Sequence, residues 1–346
     1  MHRRFFSQLV CAMGLISTIP RTPASENTTT GRRIDVHCHY LPDFYREALI
    51  AAGLSRPDGI PRIPDWSEES ALAAMDEMNV SRAYISISSP GVNFSDPASN
   101  RSLARRVNEE GARLAAAHPE RFGYFASTPL PDIEGAIAEA TYAMDHLGAS
   151  GVVFSSNFNG LYLGDEKLAP LYAELDRRNA IVFVHPTGPA SSCSCCGHVE
   201  TSLTYPRPMM EFLFDTTRTI TDMVLSGTLA RYPNIKVIVP HAGAALPLLA
   251  SRIDFMGRRF TQTDDSMHHA LKKLHFDLAG MPLPDMLPAL LRVADPRNIH
   301  FGSDWPFTPL PECKQNAAAL DSSGLFEKGL LTQVMHGNAE SLFSRV

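Results

Sequence analysis

Several features that define other protein classes are missing from this chain of 346 residues. No run of about twenty apolar residues occurs, which excludes a permanent helical membrane span. No block rich in Lys or Arg occurs, and the formal net charge is −6. Nucleic acid is therefore not an expected partner, because phosphate binding needs a basic face. Six cysteines in so long a chain make no disulfide framework. Cys11 lies near the N-terminus, Cys38 sits between two histidines and Cys313 stands alone. The cluster Cys193-Ser194-Cys195-Cys196-Gly197-His198 matches no familiar four-ligand zinc spacing. It is read as an active-site loop, with a second metal clip or a strained disulfide as alternatives. No repeat, low-complexity tract or internal linker interrupts the chain. What remains is an ordinary globular composition, 44% hydrophobic and 20% charged, long enough for two modest domains or one large α/β barrel.

Residues 1–24 read as an export signal. Arg3-Arg4-Phe5-Phe6 opens a mildly apolar segment that ends at Pro20, and Thr22-Pro23-Ala24 follows as a small-residue cleavage pattern. Paired arginines ahead of so modest a hydrophobic stretch resemble a twin-arginine signal, which predicts a periplasmic or secreted protein. A cytoplasmic protein with a frayed N-terminus is the alternative. Residues 25–33 then serve as a linker to one domain spanning 34–346.

Within that domain, apolar strand-like segments alternate with helical ones. Strands are expected at Ile34–His39, Ala83–Ser89, Phe122–Ala126, Gly151–Ser155, Ala180–Pro186, Ile235–His241, Leu274–Leu278 and Asn298–Asp304. Ser67 is a plausible N-cap for a helix whose apolar stripe is Leu72, Met75 and Met78. Longer helices are expected over 98–117, up to 146, over 166–178, within 209–231 and over 246–260. Eight strands alternating with helices in units of about thirty to forty residues describe a (β/α)₈ TIM barrel.

In such barrels chemistry sits at the C-terminal ends of the strands. Ile34, Val36 and Cys38 alternate with Asp35, His37 and His39, so both imidazoles of the first strand are expected on one face. Alone, a His-x-His pair is a weak signal. Here later strands end in further candidates: His185 on the fifth, His241 on the sixth and Asp304 on the eighth. His275 and His300 lie low in their strands and read as structural, and the remaining histidines fall at helix ends, in loops or on helix surfaces. Three imidazoles and a carboxylate suit one divalent ion, zinc first and manganese acceptably. The end of the fourth strand offers no Lys or Glu to bridge a second ion.

The motifs His37-x-His39, Val184-His185-Pro186, Pro240-His241-Ala242-Gly243, Arg252 and Gly302-Ser303-Asp304-Trp305-Pro306 resemble the amidohydrolase superfamily. More narrowly they are similar to its single-metal decarboxylase branch, over Ile34 to about Phe343. The resemblance implies a (β/α)₈ barrel, dimeric or larger, with His37, His39, His185 and Asp304 as metal ligands and His241 as an acid/base outside the ligand shell. It also implies that Arg252 grips a substrate carboxylate, in some members across the subunit interface. Branch members acting on aminocarboxymuconate semialdehyde carry an arginine where this chain has Ala71, so a substrate with two carboxylates is not expected. Trp66-Ser67-Glu68-Glu69, Ile85 to Gly91 and Phe212-Leu213-Phe214-Asp215-Thr216-Thr217 look like the 6-methylsalicylate decarboxylase subgroup.

That resemblance implies non-oxidative loss of CO₂ from an ortho-hydroxy aromatic acid, with His241 or Asp304 protonating the ring carbon. Phe212, Phe214 and Trp305 could line an aromatic pocket, although phenylalanine at such spacing is more often core. The competing readings are a single-metal hydrolase that opens a lactone or amide with metal-activated water, and a barrel that only binds metal or an aromatic acid.

Overall fold

The computed structural model describes residues 32–189, 204–261, 266–327 and 329–344. The expected export signal, nearly all of the expected linker and the cluster Cys193, Cys195, Cys196 and His198 lie outside the described residues. Eight parallel strands make the barrel: β1 (Arg33–His39), β2 (Val80–Ser86), β3 (Phe122–Tyr124, continued as Ala126–Ser127), β4 (Val152–Ser155), β5 (Ile181–His185), β6 (Lys236–Val239), β7 (His275–Asp277) and β8 (Ile299–His300). Each pairs with the next in sequence. Phe125 marks the point where β3 changes partners: its N–H donates to Ile85, while that of Ala126 donates to Gly151. The ring returns to its start where the Val36 N–H donates to Phe301 (3.0 Å) and Cys38 bridges to Trp305. The (β/α)₈ barrel expected from the sequence is the fold.

The helices that follow the strands are α1 (Glu68–Glu77), α2 (Pro97–Ala117), α3 (Ile133–His146), α4 (Ala169–Arg177), α5 (Glu211–Leu225), α6 (Leu246–Phe260), α7 (Met286–Leu291) and α8 (Leu310–Ser322). Helix α1 starts as its sequence predicts: the Ser67 hydroxyl accepts from the Ser70 N–H, and the Ser70 hydroxyl reciprocates at Ser67. Met75 and Met78 are buried beneath it. One apolar cluster fills the barrel, with Ile34, Val36, Tyr84, Phe125, Val153, Ile181, Phe183 and Ile238. A larger one lies between strands and helices. Along β5 the two alternate: Ile181 and Phe183 face in, Val182 and Val184 face the helices, as a strand buried on both faces requires.

Four expectations are corrected. The alternation in β1 is broken: its register against β2 slips between Asp35 and Cys38, so Ile34 and Val36 pack inside the barrel while Cys38 packs outside it. A bulge of this kind re-aims side chains, and such bulges concentrate beside active sites. Arg33, expected in the linker, is the first strand residue, buried with its guanidinium donating to the Met78 carbonyl (2.8 Å) and to Asp321. Strand β6 stops before His241, because Pro240 has no N–H to extend the ladder. Strand β8 is only two residues long; beyond Gly302 the chain turns through left-handed Asp304 (φ 60°) and follows β1 by separate hydrogen bonds.

Candidate metal centre

The centre starts from the upper end of β1. Gly302 lies so close that a Cβ there would stand 3.0 Å from the Cβ of His37 and 3.1 Å from that of Asp277, so a side chain would crowd the segment that leads from β8 to the rim. Three imidazoles meet at this rim, and each has its Nδ1 turned outward to an oxygen. His37 Nδ1 meets Asp277 Oδ2 at 2.9 Å, His39 Nδ1 the Ser86 carbonyl at 3.2 Å, and His185 Nδ1 the Pro186 carbonyl at 2.7 Å. Carbonyls and a carboxylate only accept, so each Nδ1 donates and each Nε2 is left with its lone pair facing the centre.

Asp304 supplies the fourth donor. Its Oδ1 lies 3.0 Å from His39 Nε2 and 3.4 Å from His37 Nε2. The donor atoms of His37, His39, His185 and Asp304 all fall within 4.8 Å of one another. His37 Nε2 is buried and makes no hydrogen bond, an anomaly in an otherwise well-paired interior that a shared cation resolves. Three nitrogens and one carboxylate oxygen fit a divalent ion. Among the described residues this is the one such group, and the expected single-metal arrangement holds.

The electrostatics agree. Burial pushes His37 down, but the carboxylates of Asp277 and Asp304 outweigh it and raise its pKa to about 10. Two carboxylates beside one buried imidazole make the place favourable to positive charge, which a bound cation would supply once His37 is neutral. His39 is lowered by burial and by the neighbouring His37, and His185 is lowered further by burial, His39 and His37; both are neutral, as ligands must be. Burial works against the charge of Asp304, yet His37, His241 and His39 hold its carboxyl well below the usual range.

His241 stands apart. It begins a turn, His241–Gly243, just beyond β6, and its N–H donates to Asp277 (3.0 Å). Its Nε2 lies 3.8 Å from Asp304 Oδ2, and it is not one of the four clustered donors. The backbone of His241 (φ 54°), Ala242 (51°), Ala244 (55°) and Asp304 (60°) is left-handed. Non-glycine residues adopt that region at a cost, and tend to do so at functional sites.

Aromatic rings surround the imidazoles. Phe183 lies edge-on beneath His37 (4.9 Å between centroids), Phe307 beside His39 (5.4 Å) and Phe212 beside His185 (6.3 Å). Phe214, by contrast, is exposed, and Trp305 is packed in the outer core; neither ring touches the cluster. Arg252 is exposed on α6, with no hydrogen bond or ion pair among the described residues. Sequence reasoning missed Asp277, which orients both His37 and His241, as well as Ser86, Ser88 and Phe307. Ser88 is buried with its hydroxyl 3.3 Å from His185 Nε2. A lone carboxylate at the upper end of the apolar seventh strand was the available signal for Asp277.

The amidohydrolase family model matches residues 34–345. The chain is 36% identical to a 6-methylsalicylic acid decarboxylase of Aspergillus aculeatus, over 91% of this chain and 96% of that one. Among solved structures, a protein described as amidohydrolase II superposes with a TM-score of 0.85 at 37% identity, over 90% of this chain and 99% of that one. A dihydroxybenzoic acid decarboxylase from a Polaromonas species, solved with manganese and 2-nitroresorcinol, superposes with a TM-score of 0.78 at 21% identity, over 91% and 97%; at that identity it speaks for the fold. These matches run the length of the barrel and through every strand that contributes a donor, and the chain belongs to the amidohydrolase family.

Proposed function

We propose that this chain is a metal-dependent, non-oxidative decarboxylase of an ortho-hydroxy aromatic acid of the 6-methylsalicylate kind. The observation that carries the reading is the division between His241 and the four donors: an imidazole against Asp304 (3.8 Å) that closes no ligand shell is free to handle a proton. The likeness to the Aspergillus aculeatus enzyme supports the substrate class. Loss of CO₂ from an arene leaves an electron pair without an acceptor unless the ring carbon is first protonated. His37, His39, His185 and Asp304 would hold a divalent cation, which would supply Lewis acidity that lowers the pKa of the phenol. His241 or Asp304 delivers the proton to the carbon that bears the carboxylate. That C–C bond then breaks, CO₂ leaves, and the bonding pair restores the aromatic ring; one proton is consumed and no oxidant is needed. Phe212 and Phe307 flank the place where the ring is held.

We assign zinc to the site on its donor set, with manganese as the competing ion; elemental analysis of the purified protein decides. We further propose a dimer or larger oligomer. Leu248 (76% exposed) and Phe255 (62%) flank Arg252 on α6, and the spacing sets all three on one face. Such a face offers Arg252 to the carboxylate in a neighbouring subunit's site, where its planar fork gives two parallel hydrogen bonds. Light scattering measures the mass, and an Arg252→Lys variant should bind substrate much more weakly even if the mass is unchanged. For the reaction, metal-replete protein given 6-methylsalicylate should release CO₂ and 3-methylphenol. In D₂O the product should carry one deuterium at the vacated carbon. Acid release from lactones or amides, with no CO₂ from any hydroxybenzoate, would replace this reading with the hydrolase.

A further inference from the structure

Helix α5 begins at Glu211, and one turn into it Asp215 is fully buried. Its carboxylate accepts four side-chain hydrogen bonds. Oδ2 takes one from the Ser156 hydroxyl and one from Asn157 Nδ2 (2.8 Å); Oδ1 takes one from the Tyr162 hydroxyl (2.8 Å) and one from Arg218 Nη1 (2.7 Å). All four lone-pair positions of the carboxylate are thereby used.

Two of these partners lead to the metal centre. The Ser156 N–H donates to the His185 carbonyl (2.8 Å), and the Ser156 hydroxyl accepts from the Thr187 N–H (3.0 Å). Asn157 Nδ2 donates also to the Gly188 carbonyl (3.0 Å). The segment 185–188, which carries a ligand at its first residue, is thus fastened at three points to residues 156 and 157, and Asp215 holds both. One turn earlier on the same helix, Phe212 packs edge-on against the His185 ring. The other two partners, Tyr162 and Arg218, contact each other (3.1 Å) and no residue of the 185–188 segment.

We propose that Asp215 is a positioning residue for the metal centre: through Ser156 and Asn157 it fixes the backbone from which His185 presents its Nε2. The inference rests on the four-donor reading of the centre. Groups that orient a ligand without touching the ion typically change metal affinity by about 10–100-fold when altered. Asparagine keeps the shape of the side chain but turns one acceptor into a donor, so it conserves packing while disrupting the clamp.

The test is zinc affinity, measured by chelator competition on the full chain, with thermal unfolding of the same samples. Asp215→Asn should weaken zinc by about 10–100-fold, and Ser156→Ala should weaken it in the same direction. Tyr162→Phe removes a hydrogen bond from the same carboxylate on the side away from His185, and should leave zinc affinity within about twofold while lowering thermal stability. Saturating zinc should restore most of the turnover of Asp215→Asn. If Asp215→Asn lowers the melting temperature but binds zinc as the parent does, or if Tyr162→Phe weakens zinc as much as Ser156→Ala, the residue supports the fold and nothing more. A parent protein that takes up no divalent ion would overturn the four-donor reading and this inference with it, whereas one that binds zinc but decarboxylates nothing leaves the inference standing.

Discussion

Strands β7 and β8 carry histidines low, carboxylates stand above them on β7 and on the segment that follows β8, and the two levels behave differently. At the lower end His275 and His300 stack at 26° and share a hydrogen bond, Nδ1 to Nε2, of 2.9 Å. At the upper end Asp277 and Asp304 face His37, His39 and His241. Each low imidazole serves as partner to the other, and burial holds His300 well below its usual pKa, neutral. No cation is called for there. At the rim every ligand imidazole spends its Nδ1 on an oxygen outside the cluster, so the Nε2 atoms converge on the Asp304 carboxylate, with the Ser88 hydroxyl beside that of His185. Histidine on a barrel strand is therefore a ligand or a structural group according to where its second nitrogen goes.

The sharpest way to break this contrast is to remove a converging nitrogen. His185→Ala or His37→Ala should lose both the ion and all measurable turnover, since a three-donor remnant with an unbalanced carboxylate holds a cation poorly. Metal analysis beside a rate assay checks it; the parent should carry about one ion per chain. Retention of a full equivalent in either variant would mean that the four donors are not the shell, and two ions per chain would break the single-metal arrangement.

His241 sharpens the comparison from the other side. It shares the rim with the ligands but not their convergence, so His241→Asn should keep near-stoichiometric metal and a normal fold. Its turnover should fall by about 10²–10⁴-fold, the usual contribution of a general acid or base. Should the ion leave with the imidazole, His241 is a ligand after all. Next in size is Asp277→Asn. The amide can no longer draw a proton toward His37 Nδ1, and metal affinity should drop by about 10–100-fold while excess metal restores activity.

The contrast also marks what the sequence made legible. Eight apolar segments bounded by turns predict the barrel because a strand buried on both faces cannot hide its composition. The imidazoles at strand ends stand out because polar residues are costly there unless used. Asp277 did not stand out: one aspartate in a three-residue strand has no period, and its partners His37 and His241 lie far off in sequence. Asp215 was visible only as part of a motif, for its clamp to residues 156 and 157 is a tertiary fact. The slip in β1 was hidden because strict alternation fits the letters equally well, and only the hydrogen-bond register shows the bulge. Arg252 resembled a site residue, yet within its own chain it points to solvent.

The smallest effect is expected at the lower pair. His300 is wholly buried, and its Nδ1 has no hydrogen-bond partner. Replacing it with leucine removes one hydrogen bond, a loss of about 1 kcal/mol. The same change abolishes an unsatisfied buried nitrogen, whose desolvation costs about 1–3 kcal/mol, and it puts an apolar side chain at a fully buried position. His275 is only partly buried, so water can take the vacated place. On balance His300→Leu should leave stability unchanged or raise it by up to about 2 kcal/mol. Thermal unfolding and metal content measured on one preparation should show a small change in the first and none in the second. Loss of metal would mean that the lower ends of β7 and β8 set the height of Asp277 and Asp304 above them, and that the two ends are one device. An unchanged ion with unchanged turnover leaves the imidazole pair as packing, and confines the chemistry of this barrel to its upper rim.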